Sequence, residues 1–468
     1  MAAAPLAGCA PVGPDYIRPA AVVSPQFKEI KGWKIATPRD DLAKGEWWKL
    51  FRDATLDRLE PQVAVSNQTL KADEANYRQA LALIAEARAG LYPTINFDPS
   101  LTRIKSGKPI TDQLVAEASG SWTLDVWGKT RRAVEQESAA AEASAADLAN
   151  ATLAEQSALA LAYVQLRQSD SLADLLADTV KQYKRSLEIA QNQYNAGAAA
   201  KSDVITAQAQ ELAAEAQLVN VGVARAENEH AIAVLIGRPP AELTIPHGSL
   251  ALDAPRAPIS VPSALLERRP DIAAAERTMQ EQNAAIGVAF AGYYPSLTLT
   301  GSFGYSGNPF IRQIAGANPV WSYGMSAAQT LFNGGLTDAQ VEAARQTYEA
   351  SVAAYRQTVL TAFQQVEDQL AAIPILTRQL GIQTQAVDAA RQAVDIALNE
   401  YRAGTQNFTT VVTAEATALS DQESALSTRA ARLTAAVNLV VALGGGWTTT
   451  DLPPSPGEEQ QASASIGQ

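Results

Sequence analysis

Residues 297–306 read Leu-Thr-Leu-Thr-Gly-Ser-Phe-Gly-Tyr-Ser, and the fold of the whole chain depends on how this stretch is interpreted. Its apolar residues alternate with small polar ones, so the apolar residues share one face: Leu297, Leu299, Phe303 and Tyr305. A repeat of two residues is the period of a β-strand. The same alternation returns from Trp321 to Ala328. The two segments therefore predict a hairpin with one apolar face and one face of small polar residues.

Two environments fit such a hairpin. In a soluble domain the apolar face would pack against another layer, although nearly all of the remaining sequence is predicted to be helical. In a membrane barrel the apolar face meets lipid and the small polar face meets a water-filled lumen, with Trp and Tyr at the interfaces. The alternation alone does not distinguish the two environments.

The composition narrows the classes of protein. The chain has 468 residues, of which 47% are hydrophobic, as in globular proteins. Its formal charge of -12 argues against a nucleic-acid partner. No apolar run approaches the roughly 18 residues of a membrane-spanning helix, so any membrane crossing is expected to use strands. Cys9 is the single cysteine, which excludes an internal disulfide.

The N-terminal residues resemble the processing site of a bacterial lipoprotein. Leu6-Ala7-Gly8-Cys9 matches a lipobox, in which the cysteine thiol is acylated after the leader is removed. Residues 1–8 are interpreted as a remnant of that signal peptide, with a free thiol at Cys9 as the alternative. Residues 9–45 contain five prolines and predict an extended arm.

The first half of the chain, residues 46–237, predicts a helix, two strands, a long helix and a returning helix. Helical periodicity covers about 56–90, and alternation predicts strands at about 94–104 and 113–127. Residues 129–196 contain neither proline nor glycine and are rich in strong helix formers. A continuous helix of that length would extend about 100 Å. Its apolar residues recur at threes and fours, which is typical of a coiled coil.

The second half repeats the first. Asn192-Gln193-Tyr194-Asn195-Ala196-Gly197 is matched 207 residues later by Asn399-Glu400-Tyr401-Arg402-Ala403-Gly404, and both segments predict tight turns between helices. Residues 263–446 are therefore interpreted as a second repeat. Its strands are expected at about 297–306 and 320–332, and its long helix at about 335–403. A proline-rich linker, 238–262, joins the repeats, and a flexible tail covers 447–468.

The duplication bears on the strands. Two repeats supply four strands, whereas known single-chain barrels begin at eight. Either the sheet stays open, which lipid does not permit, or several chains contribute to one barrel.

Several segments together resemble the TolC-like outer-membrane efflux proteins, in particular the lipoprotein branch that includes OprM and NodT-type proteins. The similar segments are the arm from Cys9 to Pro19, Glu46-Trp47-Trp48, Leu266-Glu267-Arg268-Arg269-Pro270-Asp271-Ile272, Tyr294-Pro295-Ser296-Leu297, Leu331-Phe332-Asn333-Gly334-Gly335 and the two Tyr-x-x-Gly turns. The resemblance implies a mostly helical homotrimer. Twelve strands would form one barrel in the outer membrane of a Gram-negative bacterium, and the helices would form a periplasmic coiled-coil tunnel. It also implies acylation of Cys9.

The resemblance implies roles for particular residues. The two turns would form the periplasmic tip where an adaptor docks, with Tyr194, Gly197, Asp203, Tyr401 and Gly404. A gate is expected near Thr413, Glu415 and Ala416; Thr413 and Ala416 stand where some relatives have an acidic and a basic residue. Asp203 and Glu415 are the remaining acidic candidates to face the lumen rather than solvent. The expected membrane-interface anchors are Trp122, Trp127, Tyr305, Trp321 and Tyr323, with buried aromatics of an ordinary hairpin as the alternative.

No enzymatic function is expected, because the chain has no phosphate-binding loop, no zinc-spaced Cys or His and no nucleophile elbow. No cofactor or metal is expected either. The hypothesis is a passive trimeric exit duct for drugs or other small toxic compounds, working with a periplasmic adaptor and an inner-membrane transporter. The alternatives are a duct for oligosaccharide, metal ion or secreted polypeptide, or a periplasmic coiled-coil scaffold.

Overall fold

The computed structural model describes residues 11–20, 26–29, 46–105, 110–252, 268–307, 318–445 and 447, so Cys9 and the predicted tail beyond Trp447 lie outside it. Seven α-helices and four β-strands make up the described part: α1 Ala54–Ser66, α2 Gln68–Ala89, β1 Thr94–Lys105, β2 Ile110–Leu124, α3 Lys129–Asn195, α4 Lys201–Leu235, α5 Pro270–Phe290, β3 Ser296–Gly307, β4 Asn318–Ala328, α6 Leu336–Arg402 and α7 Phe408–Ala442.

The two halves have matching elements. Strands β1 and β3 each contain 12 residues, helices α3 and α6 each contain 67, and helices α4 and α7 each contain 35. Gly128 and Gly335 stand at the starts of α3 and α6, both with positive φ, a conformation that glycine adopts readily.

The prediction of one helix over residues 56–90 is wrong, because Asn67 divides it into α1 and α2. The Asn67 side chain accepts hydrogen bonds from the backbone N–H groups of Thr69 and Leu70, at 2.8 and 3.2 Å, and so caps α2. Its amide group also donates to Glu155 on α3 and to the carbonyl oxygen of Leu235 at the end of α4. The sequence around Asn67 does not indicate that this residue joins α2 to α3 and α4.

Both second strands of the predicted hairpins end earlier than expected. Strand β2 ends at Leu124 because Asp125 accepts hydrogen bonds from the N–H groups of Thr130 and Arg131 and so fixes the start of α3. Strand β4 ends at Ala328, which pairs with Ser296, the first residue of β3. Beyond that point β3 offers no residue for β4 to pair with.

The four strands form one antiparallel sheet in the order β1-β2-β3-β4. One row across its apolar face contains Phe97, Ala118, Phe303 and Trp321. The neighbouring row on the opposite face contains Asn96, Ser119, Ser302 and Ser322. The predicted division into an apolar and a small polar face therefore extends across all four strands.

The long helices lie side by side. Helix α3 packs against α4 and α7, and α6 packs against α7, which leaves α4 and α6 on the outer sides of this row. Nearer the sheet, α5 lies between α3 and α6. The largest core cluster lies where α1 meets α3 and α7, around Trp47, Leu56, Tyr163 and Leu433. Among the described helices, none has the length and apolarity to cross a membrane.

The described part of the predicted linker is packed rather than free. Ile245, Leu250 and Leu252 are buried in the largest core cluster. Arg167 and Arg225 donate to the carbonyl oxygens of Pro246 and Ile245, at 2.8 and 2.7 Å. Both guanidinium groups also bind the fully buried carboxylate of Asp170 on α3. Residues of the linker are therefore held against α3 and α4 by a network that its lack of periodicity did not predict.

Candidate functional site

The sheet exposes its apolar face to solvent in the single chain. Phe97, Phe303, Trp321 and Tyr323 are exposed by 67, 55, 67 and 83%. Strand β1 and strand β4 occupy the two edges, and no other strand in the described part of the chain pairs with either edge. Such edges and such a face normally require a partner.

Four of the five predicted anchor aromatics lie on this apolar face. Tyr305 and Trp321 lie in the half of the sheet far from the helices. Tyr323 lies at the middle of β4, and its ring stacks on that of Trp321 with centroids 5.7 Å apart. Trp122 lies near the helices and donates its indole N–H to the carbonyl oxygen of Leu91 at 3.0 Å. It pairs with Leu299, six residues from Tyr305, so Trp122 and Tyr305 are about 20 Å apart along the strands.

Trp127 lies beyond the end of β2, although the predicted strand, 113–127, included it. Its ring stacks on Tyr294 with centroids 4.8 Å apart, and its N–H donates to the carbonyl oxygen of Pro295 at 2.7 Å. These contacts join the first repeat to the second at the junction between sheet and helices. The strand prediction included Trp127 because the preceding alternation continues through Val126 in the sequence.

The two turns far from the sheet have the same geometry. Gly197 and Gly404 adopt positive φ values of 75° and 73°, and their N–H groups donate to the carbonyl oxygens of Tyr194 and Tyr401. An added Cβ would meet nothing within 4 Å at either glycine. Backbone conformation, not space, therefore favours glycine here.

The two turns are joined to each other at what we call the tip, residues 190–211 and 397–416. Tyr401 donates its hydroxyl hydrogen to Asp203 at 3.3 Å, and Gln193 donates to the carbonyl oxygen of Arg402 at 3.2 Å. A small apolar cluster lies beneath them: Ala190, Ala207, Ala397, Tyr401, Phe408 and Val411. Burial, and the nearby carboxylate of Asp203, raise the pKa of Tyr401 to about 12, so the hydroxyl remains a donor at neutral pH. Tyr194, the equivalent of Tyr401, is 40% exposed.

The three predicted gate residues fall into two groups. Thr413 and Ala416 are exposed, and Ala416 lines a groove of about 340 Å³ with Tyr183, Gln210 and Glu423. Glu415 is only 4% exposed and lies between α3 and α7, where it accepts a hydrogen bond from Ser186. Burial raises its pKa to about 7, although the Ser186 bond opposes this shift. Glu415 is thus buried between two helices of the single chain.

The arm, residues 11–20, is seated on the helices next to the sheet. Arg132 at the start of α3 is 4% exposed and binds the Asp15 carboxylate at 2.7 Å and the carbonyl oxygen of Val12 at 3.2 Å. An added Cβ on Gly13 would come within 2.5 Å of Gly287 on α5, so the two backbones approach closely. The sequence predicted an extended arm but not the place where it binds the helices, because these contacts join residues more than 100 positions apart.

Comparison with known proteins agrees with this architecture. The family model described as "Outer membrane efflux protein" matches residues 59–238 and 261–445. The toluene efflux pump outer membrane protein TtgC of Pseudomonas putida is 30% identical over 456 residues, covering 94% of this chain and 93% of that protein. The pyoverdine export outer membrane protein OpmQ of Pseudomonas aeruginosa is 32% identical over 434 residues, covering 89% and 90%.

Among solved structures, the outer-membrane channel OprN superposes with a TM-score of 0.85 at 29% identity, covering 93% of this chain and 99% of that one. The prediction of a mostly helical, TolC-like fold is confirmed at this level. The relatives are channel and efflux proteins, not enzymes. The chain therefore belongs to the outer membrane efflux protein family.

Proposed function

We propose that the protein is a homotrimeric exit duct of the outer membrane, through which a tripartite pump expels drugs or other small toxic compounds. The observation that carries this proposal is the four-stranded sheet. Its apolar face is exposed, its polar face is lined with Ser and Thr, and both edges are free of partner strands among the described residues. Three copies supply twelve strands, which satisfy every edge by closure.

The helices would continue the barrel as a tunnel in the periplasm. Helices of 67 residues extend about 100 Å, far beyond a bilayer. In this arrangement the tip lies at the far end, where we place the docking site of a periplasmic adaptor. This docking site would be formed by the tip residues Tyr194, Gly197, Asp203, Tyr401 and Gly404. An inner-membrane transporter would supply the energy, because the chain itself offers no nucleotide-binding loop.

The cargo is proposed from the relatives. The names of TtgC and OpmQ specify toluene efflux and pyoverdine export. Small organic molecules are common to both, and they are the class that we assign to this duct.

We further propose that an acyl chain on Cys9 anchors the arm in the membrane. Pro11 lies against Gly128, next to the end of the sheet, so Cys9 is two residues from the level at which the barrel would meet the periplasm. Arg132 holds the arm at that level. We expect incorporation of labelled palmitate when the chain is expressed behind a lipoprotein leader, and loss of the label in Cys9→Ala. Equal labelling of both proteins would contradict the anchor.

The mass of the detergent-extracted protein tests the assembly. Light scattering, with the detergent subtracted, is expected to give three times the 49.5 kDa of the chain. The trimer should also conduct ions across a planar bilayer. A monodisperse monomer in plain buffer would leave the four strands unable to close, and it would favour the scaffold function instead.

The contact between Tyr401 and Asp203 is proposed to keep the tip narrow. Tyr401→Phe removes only the hydroxyl, so we expect a wider tip and a higher single-channel conductance, by about twofold to tenfold, with the trimer intact. A hydrogen bond as long as this one, at 3.3 Å, contributes about 1 kcal/mol, which is enough to shift a two-state gate that far. Tyr194→Phe, in the equivalent exposed position, is the matched control. Equal conductance of Tyr401→Phe and the wild type would exclude this contact as a restraint.

A further inference from the structure

We propose that the far end of the sheet, opposite the helices, binds the phosphate groups of lipopolysaccharide, the phosphorylated glycolipid of the outer leaflet. The binding surface is a cationic patch formed by Arg103 and Lys105 at the end of β1. In the proposed barrel, on which this inference rests, the far end of the sheet faces the cell exterior.

The strands separate their charges between the two faces of the sheet. The pairing register puts Asp98 directly opposite Glu117 on the polar face. Arg103 and Lys105 lie on the apolar face, because they follow Phe97 by six and eight residues along β1. They are the only cationic residues in the four strands. Every cation of the sheet therefore lies on the face that would meet lipid.

The height of the cationic patch matches the outer headgroup region. Arg103 follows Thr94, the first residue of β1, by nine residues, or about 30 Å along the strand. At the tilt of about 40° that membrane strands have, this length spans about 23 Å in height, close to the apolar band of about 25 Å. Ile95 and Leu101 lie within that band and are exposed by 75 and 63%. Arg103 is thus placed where the apolar part of the bilayer ends, and Lys105 is placed about 5 Å further out.

Both cations of the patch remain accessible to a ligand. The Nε atom of Arg103 contacts Asp112, its partner across the hairpin, at 3.1 Å, and the arginine side chain is still 70% exposed. Lys105 pairs with Ile110 and is exposed, and it makes no ion pair with any residue that the structure describes. The pairing of β2 with β3 reaches only to Leu114, so no third strand in the described part of the chain covers these two pairs.

Phosphate is the anion that these side chains suit. A guanidinium has five N–H donors in a planar fork that matches phosphate oxygens, and an ammonium adds a mobile point charge. Lipopolysaccharide carries phosphates on its sugars directly above the acyl chains, which is the level of the cationic patch. Leu101 and Leu114, which pair with each other next to the patch, are exposed by 63 and 42% and would contact those acyl chains. The patch and these leucines together therefore fit a lipid with phosphate at its headgroup.

Binding of lipid A, the phosphorylated membrane anchor of lipopolysaccharide, tests the patch on the intact, detergent-extracted protein. Lipid that co-purifies is first removed, and the molar mass of each preparation is measured. The protein is then titrated with one of three probes: lipid A with both phosphates, lipid A with its phosphates removed, or phosphatidylglycerol. Native mass spectrometry counts the lipid molecules bound at each concentration.

Two variants remove the two cations separately. Lys105→Gln removes the ammonium, and its matched control is Lys129→Gln, at an exposed lysine that begins α3 near the other end of the sheet. Arg103→Gln with Asp112→Asn removes both members of the ion pair, so the net charge of the chain is unchanged. Weaker binding by this double variant would therefore report the guanidinium rather than the total charge.

We expect the apparent dissociation constant for lipid A to rise about fivefold in Lys105→Gln and in the double variant, the size of one basic residue's attraction to an anionic lipid surface. It should not change in Lys129→Gln. The unaltered protein should bind dephosphorylated lipid A and phosphatidylglycerol more weakly than lipid A.

Three results would overturn the assignment to lipopolysaccharide while leaving the duct standing. They are unchanged binding by trimeric preparations of the variants, an equal loss of binding in Lys129→Gln, and binding of either comparison lipid as tight as that of lipid A. Monomeric mass of the unaltered chain in detergent would instead remove the proposed barrel itself.

Discussion

Replacing Phe303 by arginine is expected to abolish the membrane-inserted trimer, whereas replacing its neighbour Ser302 by arginine should leave it assembled. Phe303 lies on the exposed apolar face and Ser302 on the polar face, where it contacts Ser322 at 3.0 Å. An arginine facing lipid costs about 2 to 4 kcal/mol per chain at the bilayer midplane and less near the interfaces, and the trimer would carry three. An arginine in the lumen remains hydrated.

Membrane fractionation followed by light scattering measures this difference. The Ser302→Arg protein should fractionate with the outer membrane at wild-type yield and alter ion selectivity, because three positive charges then line the pore. If the two variants inserted equally well, or if Ser302→Arg were the defective one, the assignment of the two sheet faces would be wrong.

Replacing Glu60 by glutamine is expected to stabilise the protein at neutral and alkaline pH. Glu60 on α1 is fully buried, and neither carboxyl oxygen has a hydrogen-bond partner among the described residues. Burial raises its pKa from 4.5 to about 9. At neutral pH the folded chain therefore holds a proton that the unfolded chain releases.

Glu60 makes the folded chain less stable as the pH rises. The unfolded state binds fewer protons between pH 4.5 and about 9, so this group lowers the free energy of unfolding by about 1.4 kcal/mol for each pH unit in that window. At pH 7 the effect is on the order of 3 kcal/mol per chain. Glutamine has the same shape but does not ionise. The free energy of unfolding of Glu60→Gln should therefore exceed that of the wild type most near pH 9 and little near pH 4.5.

Thermal melts followed by circular dichroism at pH 5, 7 and 8.5 would measure the gain. Glu86→Gln, on an exposed position of α2, is the control for loss of one negative charge. A melting temperature of Glu60→Gln that exceeds the wild type by the same amount at every pH, or that falls below it, would contradict the assignment.

Period and turn chemistry were sufficient to predict most of the fold. Strict alternation from Leu297 to Tyr305 identified a strand whose two faces differ, and the absence of proline and glycine after Gly128 identified a helix of 67 residues. Gly197 and Gly404 marked the turns because a left-handed conformation favours glycine. Local sequence determines each of these features.

Features that depend on distant contacts could not be predicted in this way. Asn67 breaks a helix at a place where Glu155 and Leu235 bind its amide, and Trp127, beyond the end of β2, stacks on Tyr294 of the second repeat. The sequence does not distinguish Glu415 from the solvent-exposed carboxylates of the helices, yet the packing of α3 against α7 buries it. In each case the partner lies in another element, and periodicity carries no information about which elements meet.

The two free edges of the sheet have a genetic consequence. Each chain would meet one neighbour through β1 and the other through β4. A substitution that disrupts one edge therefore leaves the other edge able to bind a neighbouring chain. A chain with one defective edge would therefore enter assemblies with normal chains and prevent the ring from closing. If both kinds of chain were made in equal amounts and mixed at random, only about one in eight trimers would be wholly normal. Such an allele should act dominantly over the wild type, whereas a deletion of the gene should be recessive.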